Sequence, residues 1–191
     1  ALLYEHGDID KRYGFVMGGG KPEGAFVPKK EDVVPPCAVK TLPVQDGDVF
    51  DLGGVQIEAI AVPGHTAGTM VYLDRARRVL YSGDACNANT LLGLPCSTTV
   101  ETYAKSLDHL ATYLKGIDKF YGGHGLQAVP AYIVDEAMIL CEEILSDDDD
   151  RFETEFLGRK FLYARKFDGM FHREDGGIAN IAYVMEKVYN K

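Results

Sequence analysis

Histidines never cluster in this chain. The five stand singly, at positions 6, 65, 109, 124 and 172, so nothing supplies the two or three closely spaced imidazoles that would complete a hydrolytic metal centre. Long apolar runs are missing too: no stretch approaches the roughly 20 residues needed to cross a bilayer. The start, Ala-Leu-Leu-Tyr-Glu-His-Gly-Asp, lacks a basic segment followed by an apolar one, which excludes a recognisable export signal within it. There is no C-x-x-C pair, and Cys37, Cys86, Cys96 and Cys141 are too few and too scattered for a disulfide scaffold. A reducing cytoplasm is the expected setting. Basic residues are in deficit, 20 Lys and Arg against 29 Asp and Glu for a net charge of -9. Such a surface repels phosphate backbones and anionic lipid, so neither nucleic acid nor a membrane is the expected partner. What remains, 191 residues that are 46% hydrophobic and 26% charged, is the composition of a soluble globular chain. It is long enough for one sizeable core, and residues 1–191 are read as a single domain.

Local patterning is uneven along the chain. Residues 1–6 are apolar and helix-compatible, and the glycines at 18, 19, 20 and 24 then announce irregular structure. Prolines at 22, 28, 35, 36 and 43 keep residues 20–45 in loops with room for one edge strand. From Asp48 the alternation sharpens. Val49-Phe-Asp-Leu52, a Gly53-Gly54 turn and Val55 to Val62 form a hairpin pattern, and Met70 to Asp74 with Val79 to Ser82 form a second. Val100, Tyr103, Leu107, Leu110 and Leu114 recur at spacings of three and four, which predicts a helix over 100–115. A short strand over 117–121 and a second helix over 129–145 follow. Residues 160–166 and 178–185 are expected to pair as a terminal hairpin, with a helix as the alternative for the second.

Three predicted strands end on glycine turns that carry metal-capable side chains. His65 follows Pro63-Gly64, Asp84 follows Gly83, and His124 lies between Gly123 and Gly125. A neutral imidazole nitrogen held on a rigid strand end is a good ligand for a divalent ion, and an aspartate offers a hard oxygen that can bridge two. Glycine beside each removes a Cβ that would crowd an ion. A lone His on a turn is most often a surface residue, so the argument rests on the ordered set of three.

In that order, Pro63-Gly-His-Thr-Ala-Gly-Thr69, Tyr81-Ser-Gly-Asp-Ala85 and Tyr121-Gly-Gly-His-Gly125 resemble the three later metal-binding motifs of the metallo-β-lactamase superfamily of hydrolases. The resemblance covers about residues 46–145. It implies an α+β fold, the αββα sandwich of that family, and a one- or two-metal centre, usually zinc, with iron or manganese possible. By match, His65 would complete the first metal's ligands, Asp84 would bridge the pair and His124 would bind the second. Aspartate at 84 is more similar to the thioester-hydrolysing, hydroxyacylglutathione-hydrolase-like branch than to members with cysteine there. Ala67 stands where the family commonly has proline, and Thr69 where it has serine.

The family's H-x-H-x-D-H segment has no counterpart here, and His6 does not replace it. The expectation is therefore an incomplete sandwich lacking its amino-terminal part, with weak or absent metal binding and no catalytic residue in this chain alone. The longer enzyme would hydrolyse a thioester, ester or lactone of a small-molecule substrate by a metal-bound hydroxide. Two alternatives stand: a non-catalytic half-fold that associates, as a homodimer through uncovered sheet edges, and a di-iron oxygen-reducing member of the same superfamily. Among the other candidates, Cys86 reads as a buried thiol, His109 as exposed or core-edge, and the Asp147 to Asp150 run as a solvated turn. His172 and Arg173 are carried as possible substrate contacts by analogy alone.

Overall fold

In the computed structural model, residues 13, 17, 24–34, 40–124, 128–156, 158–168 and 170–190 are described. The chain divides into two compact units, residues 1–43 and 44–191. In the first, the described residues hold one 3-10 turn, Lys30–Asp32, opened by the Lys29 amide donating to the Asp32 carboxylate at 2.8 Å. No strand falls among the described residues of 20–45. The expectations for residues 1–6, His6 and the glycines at 18–20 lie outside the described residues.

The second unit is α+β. A six-stranded sheet has the order β1-β2-β3-β4-β6-β7, from strands β1 (Val49–Asp51), β2 (Gln56–Ala61), β3 (Met70–Asp74), β4 (Val79–Gly83), β6 (Lys119–Gly122) and β7 (Val129–Pro130). β1 to β4 form an antiparallel meander, as the two hairpin patterns require, and β4 then pairs in parallel with β6. A parallel neighbour needs a long crossover. It contains β5 (Thr90–Leu91) and helix α1 (Val100–Ala111). A second sheet of four strands runs β5-β10-β9-β8, with β8 (Phe152–Phe156), β9 (Arg159–Tyr163) and β10 (Ile181–Tyr183). Helix α2 (Ile133–Ser146) follows β7 and precedes β8 in sequence.

Strand alternation decides which face is covered. Ile60, Val62, Val71, Leu73, Leu80 and Phe120 are fully buried in one cluster with Val100, Tyr103, Leu107 and Leu110 of α1 and Leu140 and Ile144 of α2. Each such side chain contributes about 1.5–3 kcal/mol of burial. The opposite face of the sheet is aromatic and partly open. Phe50 and Tyr72 stand 6.5 Å apart and Tyr81 stacks on Tyr121 at 6.0 Å, with Tyr81 and Tyr121 exposed.

Both helices are displaced from the sequence expectation for local reasons. α1 opens where Thr99 Oγ1 accepts the Thr102 amide at 3.1 Å. It stops at Ala111 rather than 115, because the next turns tighten to i→i+3 bonds and Gly116 takes φ 79. Residues 129–130 pair with β6 before α2 begins, and Asp147 caps its end in the left-handed region at φ 58. The terminal pairing is a hairpin-like antiparallel one, Ala182 opposite Tyr163, rather than a helix. Among the described residues no helix is long and apolar enough to cross a membrane.

Candidate metal centre

The chain leaves β2 through Val62 and Pro63 into a tight turn. The Gly64 amide donates to Thr66 O, the Thr66 amide to Thr69 Oγ1 at 3.0 Å, and the Val62 amide to Thr69 O. Thr69 thus supplies a hydroxyl that closes the turn. The loop before α1 holds it from outside, with the Ala67 amide on Cys96 O and the Thr98 amide on Gly64 O. His65 sits at the top, one-fifth exposed, with Nδ1 3.1 Å from Leu91 O. A carbonyl only accepts, so Nδ1 carries the hydrogen, which in a neutral ring leaves the lone pair on Nε2. Ser97 Oγ secures the same carbonyl at 3.2 Å and His65 O at 2.8 Å.

Asp84 follows the β4 bulge, where Gly83 takes φ 52. The Gly123 amide donates to Gly83 O at 2.8 Å and ties the Asp84 turn to the His124 turn. A Cβ on Gly123 would stand 2.8 Å from Asp84 Oδ1, so any other residue there would displace the carboxylate. The three expected residues come together around the carboxylate. His65 Nε2 lies 4.0 Å from Asp84 Oδ2, and His124 Nε2 lies 3.3 Å from Oδ1 on the other side. The second distance lacks hydrogen-bond geometry, and Oδ1 is buried with no hydrogen-bond partner. An orphaned carboxylate oxygen beside a single imidazole nitrogen costs free energy unless something pairs with it. A divalent ion fits that need chemically, with nitrogen and hard-oxygen donors already facing inward. Among the described residues no group of three or more His, Cys, Asp and Glu, these three included, is arranged to hold an ion.

The remaining candidates are occupied elsewhere. Cys86, two residues beyond Asp84, turns into the core and donates to Ile133 O at 3.6 Å, and burial pushes its thiol up to about 12. Cys141 is also buried and shifted up, whereas Cys96 is exposed. Native-state alkylation followed by mass spectrometry is expected to label Cys96 and to spare Cys86 and Cys141 until the protein is unfolded; early labelling of Cys86 would contradict its placement. His109 pairs with Asp46 at 3.0 Å on the surface of α1. His172 is exposed and held by Asp168 at 3.1 Å. Arg173 is not available to a substrate: its side chain is 9% exposed and is held by Asp175, Ala179 O and Glu136. The Arg173 guanidinium, in turn, keeps the Asp175 carboxyl below the usual range. A cavity of about 320 Å³ beside this network, lined by Glu136, Arg165, Arg173 and Asp175, has its charges already paired and includes none of His65, Asp84 and His124. The aspartate run is not wholly solvated, since the Asp149 side chain is out of solvent and bonded to Arg151 and Tyr183.

Supports around the site, Leu91 O, Ser97 and Tyr103, have no sequence signal of their own. A carbonyl is invisible in sequence, and Tyr103 reads as one more apolar helix position.

The sequence model of the metallo-beta-lactamase superfamily matches residues 5–151. This chain belongs to that superfamily. Its relatives include the human "Acyl-coenzyme A thioesterase MBLAC2", 31% identical over 86 residues, which are 44% of this chain and 31% of the relative. A hydroxyacylglutathione hydrolase of Mesorhizobium japonicum is 38% identical over 120 residues, 61% of this chain and 41% of the relative. The chain thus spans less than half the length of these curated relatives. Among solved structures, a metallo-beta-lactamase family protein of Thermus thermophilus superposes with a TM-score of 0.50 at 23% identity, covering 76% of this chain and 50% of that one. That likeness gives the fold, the metallo-β-lactamase type of α+β sandwich.

Proposed function

We propose that this chain carries part of a two-metal hydrolytic centre, with His65, Asp84 and His124 as its ligands and the other donors outside the described residues. The observation that carries the reading is the buried, unbonded carboxylate oxygen of Asp84, with one imidazole nitrogen facing each oxygen of the group. Divalent ions, once bound, supply a hydroxide nucleophile near neutral pH and polarise the carbonyl under attack. The chain's own part is to hold the donors: Leu91 O fixes the His65 tautomer, and the glycine turns bring Asp84 and His124 together. The names of the thioesterase and hydroxyacylglutathione hydrolase relatives support a thioester, ester or lactone of a small molecule as substrate. Zinc is the first expectation, and iron or manganese suits the same donors. The free state of Cys86, Cys96 and Cys141 agrees with a reducing cytoplasm, and the net charge of -9 argues against nucleic acid.

Metal content per chain after zinc loading and desalting tests the reading. This chain is expected to retain little zinc and to hydrolyse no thioester, while a protein that supplies the further donors holds about two ions. Thioester hydrolysis by the isolated chain that survives Asp84→Ala would overturn it. A second reading, association as a homodimer, is favoured by the open aromatic face around Phe50, Tyr81 and Tyr121; sedimentation of the chain as a monomer would remove it.

A further inference from the structure

The turns bearing His65 and Asp84 leave different strands, yet one side chain of α1 touches both. Tyr103 is fully buried. Its ring lies against Gly64, so closely that a Cβ there would collide with it. Its hydroxyl donates to Ala85 O at 2.7 Å. Gly64 precedes His65 and Ala85 follows Asp84, so a single rigid ring spans the two turns from beneath. The same helix reinforces the first grip, with Ser106 Oγ donating to Pro63 O at 2.7 Å.

We propose that Tyr103 is a positioning residue that fixes the separation and orientation of His65 and Asp84, and so sets the geometry in which they meet an ion. The proposal rests on the reading of those residues as ligands. Its physical content lies in the two turns themselves and can be measured without any metal. A tyrosine has few torsions and a planar body, so a ring wedged on one turn and hydrogen-bonded to the other transmits position with little slack. Burial gives it a second property, since the Ala85 carbonyl has no water to turn to when the hydroxyl is removed.

Tyr103→Phe keeps the ring against Gly64 and removes the bond to Ala85 O together with the hydroxyl's interactions with Cys86 and Thr90. Hydrogen exchange on the metal-free chain then separates positioning from plain core packing. The Ala85 amide, which donates to Ser82 O, and the Gly123 amide, which donates to Gly83 O, report opening of the Asp84 turn. In the variant both are expected to exchange about tenfold faster than in the wild type, from loss of one buried hydrogen bond. Amides of the β2–β3 ladder should change far less. Equal acceleration at every amide, or no change at Ala85 and Gly123, would overturn the proposal and leave Tyr103 as packing alone. Should the variant not fold, the wild type decides: a Tyr103 hydroxyl proton in slow exchange, with cross-peaks to Ala85, is expected, and its absence overturns the proposal. Failure of the metal reading would appear separately, as unchanged zinc content in Asp84 variants of a protein that supplies the further donors, while these exchange results stand.

Discussion

In a protein that supplies the further donors, Asp84→Asn is expected to weaken divalent-ion binding by about 100-fold, more than either single histidine replacement. The asparagine keeps the shape of the side chain and removes its charge, so the turn is preserved while the hard anionic oxygens are lost. The reason for the ranking is geometric. His65 and His124 each face one oxygen of the carboxylate, at 4.0 and 3.3 Å, whereas Asp84 faces both, and its loss affects either ion position. Competition with a chromophoric chelator measures the effect, with cobalt or zinc as the ion and His109→Ala as the control. His109 is paired with Asp46 on the outside of α1 and should be silent. An Asp84→Asn affinity equal to that of the control would mean that ions bind elsewhere, and the assignment of the three residues would fall.

The readability of this site in the sequence has a physical cause. Glycine turns are demanded by close backbone approach, and such positions leave a mark in residue type. Gly123 is needed because a side chain there would run into Asp84, and Gly64 because Tyr103 lies against it. The meander was legible for the same kind of reason, as strand alternation must match a face that is buried on one side. The strand Phe152–Phe156 carries a plain alternation, Phe-Glu-Thr-Glu-Phe, that could have been read; the four aspartates before it draw attention to solvent instead. β5 is different in kind. Two residues long, it exists only because β10 arrives beside it from about 90 residues further along the chain, and no local pattern encodes that.

Arg173 shows the limit of analogy from sequence position. A polar, glycine-containing connection near the end of the chain suggests a surface that meets substrate. Yet Gly177 lets the guanidinium fold back beneath its own turn, where a Cβ would collide with it, and Asp175 and Glu136 take up its donors. Glu136 also accepts the amides of Ile178 and Ala179 at 2.6 and 2.9 Å. The charges therefore fasten the connection to α2. Whether a charged side chain faces a ligand or its own backbone depends on partners distant in sequence, and composition does not distinguish the two.

Two neighbours on β6 provide the sharpest test of the layering. Phe120→Ala is expected to cost about 3–5 kcal/mol, because a fully buried ring is replaced by a cavity the surrounding helices cannot fill. Against a typical total of about 5–15 kcal/mol, that places the variant near the edge of folding at moderate temperature. Phe120 occupies the register position opposite Leu80 on β4 and Val129 on β7, with its ring in the cluster shared by α1 and α2. Tyr121→Ala, one residue on, removes a ring that is 38% exposed and stacked only on Tyr81, so a cost of about 1 kcal/mol is expected. Urea unfolding of the two variants, read as midpoint shifts at an unchanged slope, compares them directly. Near-equal costs would mean that the aromatic face is covered in solution as completely as the helical one. That result would point to a partner surface over Tyr81 and Tyr121, and the association reading would then gain over the isolated chain.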